Sequence, residues 1–253
     1  MKTPPVVSDQ WSDLRRYTTA RIALGRTGAS LPTNEVLNFA LAHAQARDAV
    51  HTPLDVEALT TQLQTQSTKV LHVRSRVSDR ATYLSRPDLG RRLDDDSARM
   101  LATVANKGAD LVFVLSDGLS SGAVQKHAAP LLVALKPLLA DYQWAPLVIA
   151  TQARVALADE VGELLSARLA ISLIGERPGL SSADSLGAYL TFNPRIGRSD
   201  AERNCISNIR LEGLTYAEAA EQIAELVRAA LKLSLTGVNL RLSPPQSVLS
   251  VDK

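Results

Sequence analysis

ADLVFVLSDGLSSGAVQ (109–125), APLVIATQ (145–152) and RLAISLIG (168–175) are the stretches on which the fold turns. Each holds a short apolar run, rich in Val, Ile and Leu, with no alternation of polar residues. That pattern suits strands buried on both faces. Between them, HAAPLLVALKPLLADY (127–142) and ADEVGELLSA (158–167) read as helices. Pro130 and Pro137 are expected to kink or divide the first of these. Strand, helix, strand, helix, strand implies a parallel sheet with right-handed crossovers and flanking helices. The expected class is α/β, with Rossmann-like architecture.

Outward from this centre the pattern changes. LTYAEAAEQIAELVRAALKLSL (214–235) is an amphipathic helix, with Thr215 and Glu218 as a capping box and Gly237 as a stop. The segment 176–210 is dense in Gly, Pro, Ser, Arg and Asn and is read as loop-rich. On the N-terminal side, EVLNFALAHAQARDAV (35–50) follows Thr33 and Asn34 as candidate caps. Val36, Leu37, Ala40, Leu41 and Ala44 recur there at helical spacing. Residues 55–64 suggest a second helix, TKVLHVRSRV (68–77) a strand, and 97–107 a further helix. The stretch 75–96 is read as loop because of Pro87, Gly90 and the Asp94–Asp96 run. The expected organisation is a flexible tail at 1–20, a smaller, mainly helical N-terminal lobe at 21–95, the Rossmann-like domain at 96–240 and a second tail at 241–253.

Composition narrows the function. A hydrophobic fraction of 45% is ordinary for a globular core, and a formal net charge of +2 gives no nucleic-acid footprint. The single cysteine, Cys205, excludes an intrachain disulfide and multi-cysteine metal sites. No apolar stretch approaches the roughly 20 residues of a membrane span, and the first ten residues lack a secretory apolar core, so a cytoplasmic protein is expected.

In open parallel sheets, ligands sit beyond the carboxyl ends of the strands. Four segments are assigned to that edge: SDGLSSG (116–122), TQARVALAD (151–159), GERPGLSS (175–182) and ERNCISNIR (202–210). The first puts Gly118, Ser120, Ser121 and Gly122 ahead of a helix, where N–H groups can receive an anion, but it matches neither GxGxxG nor a P-loop. Glu176 and Arg177 follow a buried strand directly, facing a ligand or pairing with each other. Cys205 has no histidine partner in its neighbourhood, and a lone cysteine is ordinarily a small buried apolar residue. His43, His51, His72 and His127 form no metal-ligand spacing. No set of acid, base and nucleophile emerges, which points to a binding subunit.

Six segments carry a family resemblance: 20–51, RPDLGRRLD (86–94), SDGLSSGAVQKHAAPLL (116–132), RVALADEVG (154–162), the long string from LIGERPGLSSADSL to ERNCISNIR (173–210), and LTYAEAAEQI (214–223). Together they resemble the small (light) chain of ethanolamine ammonia-lyase across roughly residues 18–240. The resemblance implies an enzyme that converts ethanolamine to acetaldehyde and ammonia with an adenosylcobalamin radical. It implies a large TIM-barrel subunit that binds ethanolamine and carries most of the chemistry in a hetero-oligomer, with cobalamin between the two subunits. In some bacteria the assembly sits in a protein-shelled microcompartment. By resemblance, three residues contact cobalamin: Val155 packs on it, Glu176 accepts from a corrin amide, and Cys205 is a packing contact. No catalytic residue and no metal ligand fall on this chain. The DxHxxG motif is missing, so the cofactor is expected to keep its own base on cobalt. RVALADE departs from the family pattern in having Ala158 where glycine is expected.

Two other functions stay open at this point. One is a Rossmann-type nucleotide-binding enzyme without cobalamin, which the missing GxGxxG disfavours. The other is a non-catalytic shell or scaffold protein, for which the N-terminal tail is the only support.

Overall fold

The computed structural model describes residues 6–64, 69–104 and 107–240. Helices Thr33–His51 (α1) and Val56–Gln64 (α2) lead into strand Val70–Arg74 (β1). Helices Arg80–Ser85 (α3) and Asp95–Ala102 (α4) come next, where the sequence suggested a loop up to residue 96. The reason is capping. The Asp79 side chain accepts from the Thr82 N–H and the Asp94 side chain from the Ser97 N–H, so the acidic run starts a helix instead of preventing one. Leu111–Ser116 (β2), Ser121–Leu138 (α5), Leu147–Thr151 (β3), Leu157–Leu164 (α6) and Leu169–Gly175 (β4) fulfil the central alternation.

Two corrections concern this region and the segment after it. Pro130 and Pro137 both lie within α5, which is one helix. They sit on its exposed side, as do Lys126 and Val133, whose carbonyls lose their partners and can turn to water. Residues 176–210 are loop-rich but also hold two strands the sequence did not suggest, Leu186–Phe192 (β5) and Arg203–Ile209 (β6).

The sheet runs β1-β3-β2-β4-β5-β6. β1, β3, β2 and β4 are parallel, and β4–β5 and β5–β6 are antiparallel, so the α/β class stands while the sheet is mixed. β1 comes from the stretch expected as an N-terminal lobe and forms one edge of the sheet. Helix Tyr216–Leu233 (α7) starts with the predicted Thr215–Glu218 capping box. It stops at Ser234 in the left-handed region (φ 57°), ahead of Gly237. The C-terminal tail expected at 241–253 lies outside the described residues.

The crossovers create two cores. α2, α5 and α7 cover one face, where Phe113, Leu115, Ile149, Ile171, Ala188 and Ile223 are fully buried. α4 and α6 cover the other face over β1, β2 and β4, with Val112, Val114, Val148 and Val161 inside. On this second face β5 and β6 end in open surface: Cys205 and Ser207 are exposed and Tyr189 is half-buried. At the boundary of that surface, Arg203 Nη1 donates to both oxygens of Asp159 (2.7 Å each) and to Thr191 Oγ1 (3.0 Å), joining β6 to α6. Both side chains are enclosed, at 3% and 2% exposure. Arg203→Leu is expected to destabilise the fold by about 3–5 kcal/mol in denaturant titration, because it leaves a buried carboxylate without its counter-charge.

On the other face His127 of α5 is fully buried. Its Nδ1 is 2.7 Å from the Tyr216 hydroxyl and its Nε2 is 3.5 Å from Asp184, which also pairs with Lys126 (2.7 Å). Burial pushes the imidazole below its ordinary 6.5, against the pull of Asp184. The folded state therefore takes this proton less readily than the unfolded chain. Stability from this group is full above pH 6.5 and is lost as the pH falls through the depressed value. His127→Gln should flatten the acid side of the stability profile, as read by denaturant titration on both sides of pH 6.5.

Candidate functional site

From β2 the chain crosses on one face through α5 to β3, and from β3 on the other face through α6 to β4, on the far side of β2. The loops leaving β2 and β3 thus diverge, and a crevice opens at their carboxyl ends. Asp117 fills its base. Its carboxylate accepts from the N–H groups of Gln152 (2.7 Å), Ala153 (3.0 Å) and Gly118 (2.9 Å), with Arg80 Nη1 at 4.0 Å. Burial pushes the Asp117 carboxyl up, while these N–H groups and Arg80 draw it down. Glycine is obligatory beside it. Gly118 has φ 57°, and a Cβ there would lie 2.2 Å from the Gly175 carbonyl oxygen. A Cβ on Gly175 would meet the Ser120 oxygen at 1.9 Å.

Above this base lies a cleft of about 400 Å³, lined by residues from the ends of β2, β3 and β4 and by Tyr83 and Tyr189. Val155 and Glu176 both line it. Glu176 does not pair with Arg177. Its Oε2 accepts from Ser185 Oγ (2.5 Å) and from the Asn208 N–H (3.2 Å), which draws its side chain across β5. Gly187 leaves room for this: a Cβ there would be 2.9 Å from Glu176 Oε1. No described residue donates to Oε1, so that oxygen is available to a ligand.

Cys205 departs from expectation in two ways. It is exposed, not buried, and it stands in the middle of β6, not on a loop at the strand ends. The loop placement fails because β6, RNCISNI, is a strand without a clear sequence signal. Cys205 pairs in register with Tyr189, and its sulfur is 3.3 Å from Ser207 Oγ. Tyr189 thus links Cys205 to the cleft. Burial raises the Tyr189 phenol, and the neighbouring Cys205 and Glu176 add to that. The candidate site is a cleft at the strand ends continued by an open strip of sheet.

Several polar groups of the SDGLSSG loop are used within the chain. The Gly118 N–H goes to Asp117, the Leu119 N–H to Gly175, and the Ser120 and Ser121 hydroxyls donate to the carbonyls of Ala183 and Thr52. Tyr83, Arg154 and Tyr189 belong to the site although sequence reasoning does not single them out. Tyr189 has a local signal in the apolar LGAYLTF, whereas Tyr83 and Arg154 meet only through tertiary packing. Among the described residues no group of His, Cys, Asp and Glu can hold a metal ion, and no helix is long and apolar enough to cross a membrane.

An α/β fold with a mixed sheet and a cleft at the strand ends is the class this architecture defines. Residues 8–241 match the family described as ethanolamine ammonia-lyase light chain. A Pseudomonas fluorescens protein named ethanolamine ammonia-lyase small subunit is 53% identical over 247 residues, covering 95% of this chain and 90% of the relative. One of the same name from Xanthomonas campestris pv. campestris is 52% identical over 255 residues, covering 99% and 93%. The chain belongs to the ethanolamine ammonia-lyase small-subunit family. Ala158, the departure from the family pattern, lies buried inside α6, where alanine favours the helix.

Gly187→Ala should destabilise the protein by about 1–3 kcal/mol, since the added methyl displaces Glu176 and presses on Tyr189. Gly122→Ala, in α5 with open space at its Cβ, should instead stabilise by up to about 1 kcal/mol. Parallel denaturant titrations of the two variants test the contrast.

Proposed function

We propose that this chain forms one wall of an adenosylcobalamin site whose other wall is the large subunit of ethanolamine ammonia-lyase, the enzyme that converts ethanolamine to acetaldehyde and ammonia. The observation that carries the reading is that Val155 and Glu176 line one cleft, with Cys205 on the open strip beside it. A cleft of about 400 Å³ is near the lower end of ligand-pocket sizes, so it suits the edge of a corrinoid and not the whole of it. The remainder then needs a second protein surface.

When bound, the cofactor supplies a cobalt–carbon bond whose cleavage starts radical chemistry. This chain's residues bind and orient. Glu176 Oε1 accepts from an amide side chain of the corrin, Val155 packs on its apolar rim, and Tyr189 with Cys205 shields the edge from water. Val36, Leu37 and Leu41 of α1 are exposed at 49%, 64% and 59%, apolar surface that the large subunit would cover. The nucleotide-binding alternative has no GxGxxG or P-loop behind it, and the family match favours the lyase reading.

The isolated chain should show negligible lyase activity, and activity should return on mixing with its large subunit; full activity alone would overturn the assignment. In the assembled complex Glu176→Gln, which still accepts from Ser185, should weaken cobalamin retention by roughly tenfold, the size of one lost hydrogen bond to a carboxylate. Equilibrium dialysis read by corrinoid absorbance measures it, and unchanged retention would remove Glu176 from the site.

A further inference from the structure

Arg154 is held in the cleft more firmly than a surface cation. Its backbone N–H donates to the Gly90 carbonyl (2.8 Å), and a Cβ on Gly90 would lie 2.8 Å from Arg154 Cγ, so glycine makes room for the stem. Its guanidinium stacks on the Tyr83 ring, 4.1 Å from the centroid, and Nη2 donates to the Tyr83 carbonyl (2.9 Å). Tyr83 is fully buried and also lies 4.4 Å from the Arg80 guanidinium.

The charges do not balance. Arg154 has no carboxylate partner among the described residues, and its Nε is enclosed without an acceptor. Arg80 is likewise left with an enclosed Nη2 lacking an acceptor. Its nearest carboxylate, Asp117 at 4.0 Å, is already committed to backbone N–H groups. Arg177 lines the same cleft, exposed and unpaired among the described residues. The one carboxylate on the lining, Glu176, is turned to Ser185 and Asn208. Those enclosed nitrogens of Arg154 and Arg80 leave the charge uncompensated inside, while Arg154 Nη1, which no described residue accepts from, is the donor left for an acceptor from outside the chain. A planar, always-charged guanidinium matches the oxygens of a phosphate.

We propose that Arg154, with Arg177 beside it, forms an anion subsite of the cleft and takes the phosphodiester of the cofactor's nucleotide loop. The proposal rests on the cobalamin reading above and adds an orientation: the nucleotide tail enters between the β3–α6 and β4–β5 loops, and the corrin edge lies toward Tyr189.

The test uses the assembled large–small complex and two probes, cyanocobalamin and dicyanocobinamide, which lacks the nucleotide loop and its phosphodiester. Binding is read by equilibrium dialysis and corrinoid absorbance. Arg154→Gln should weaken cyanocobalamin by about tenfold or more, as for loss of a charge-assisted contact, and leave dicyanocobinamide unchanged. Arg154→Lys preserves the stem and the charge, guards against a folding defect, and should give a smaller loss confined to cyanocobalamin. Equal losses for both probes would make Arg154 a brace for Tyr83 and overturn the proposal, as would no loss for either. Inorganic phosphate raising the melting temperature of the wild-type complex, with no variant-dependent difference between the corrinoids, would overturn it in favour of a free-anion site. A wild-type complex that binds neither corrinoid would sink the cofactor reading itself, an outcome distinct from binding that ignores Arg154.

Discussion

At the carboxyl ends of β2 and β3, one buried carboxylate does what a longer loop would otherwise need several residues to do. Asp117 gathers the N–H groups of Gln152, Ala153 and Gly118, so two loops departing to opposite faces of the sheet are pinned at a common point. Unpaired buried N–H groups are costly, and a carboxylate is a strong acceptor for several at once. Gln152 takes a left-handed φ of 55° in this arrangement, a strained conformation that the bond to Asp117 helps hold. Arg154 and Val155, the next residues along the chain, inherit their positions from this knot. The Arg154 stem in turn sets the packing of Tyr83 and the 86–92 loop.

The second constraint is the change from parallel to antiparallel pairing after β4. A parallel continuation would bring another crossover helix, and helices on both sides would cover the sheet. The antiparallel turn through 176–185 brings β5 straight back instead. Leu186, Ala188 and Leu190 face the core under α5 and α7, whereas Gly187 and Tyr189 face the uncovered side. The same turn places Glu176 where it can fold across Gly187. One topological choice thus yields both the carboxylate in the cleft and the open strip beside it.

These two constraints are unequally legible in the sequence. The three apolar runs, the helices between them and the Thr215–Glu218 box stand out because each is a local pattern with a local cause. Glu176 is accessible by position, as a residue just past a strand end, whereas Val155 is singled out only by resemblance within a loop that position assigns to that edge. Cys205 is identified by resemblance but misplaced, because β6 carries the Ser, Asn and Arg residues that ordinarily mark loops. The pairing of β5 and β6 comes from register with β4 and from the buried Arg203–Asp159 contact, neither of which is local. The Asp94 run misleads for the opposite reason: aspartate before a helix is a cap, and composition alone does not distinguish a cap from a breaker. The cation pair around Tyr83 depends on residues some seventy positions apart and has no sequence signature.

α1 shows where the chain stops being self-sufficient. A helix of this length is marginal on its own in water and ordinarily gains stability from an apolar face packed on its domain. Of its 19 residues only Glu35 and Ala42 are buried, and Glu35 is occupied by Arg15 at 3.2 Å. Its expected apolar positions, Val36, Leu37 and Leu41, face outward. The helical spacing is therefore a true signal of the helix but not of its packing: these apolar positions are left exposed by the chain's own core. An open cleft of about 400 Å³ beside an uncovered strip of sheet and a helix with its apolar positions outward are two forms of the same incompleteness, the one at the strand ends and the other in the packing.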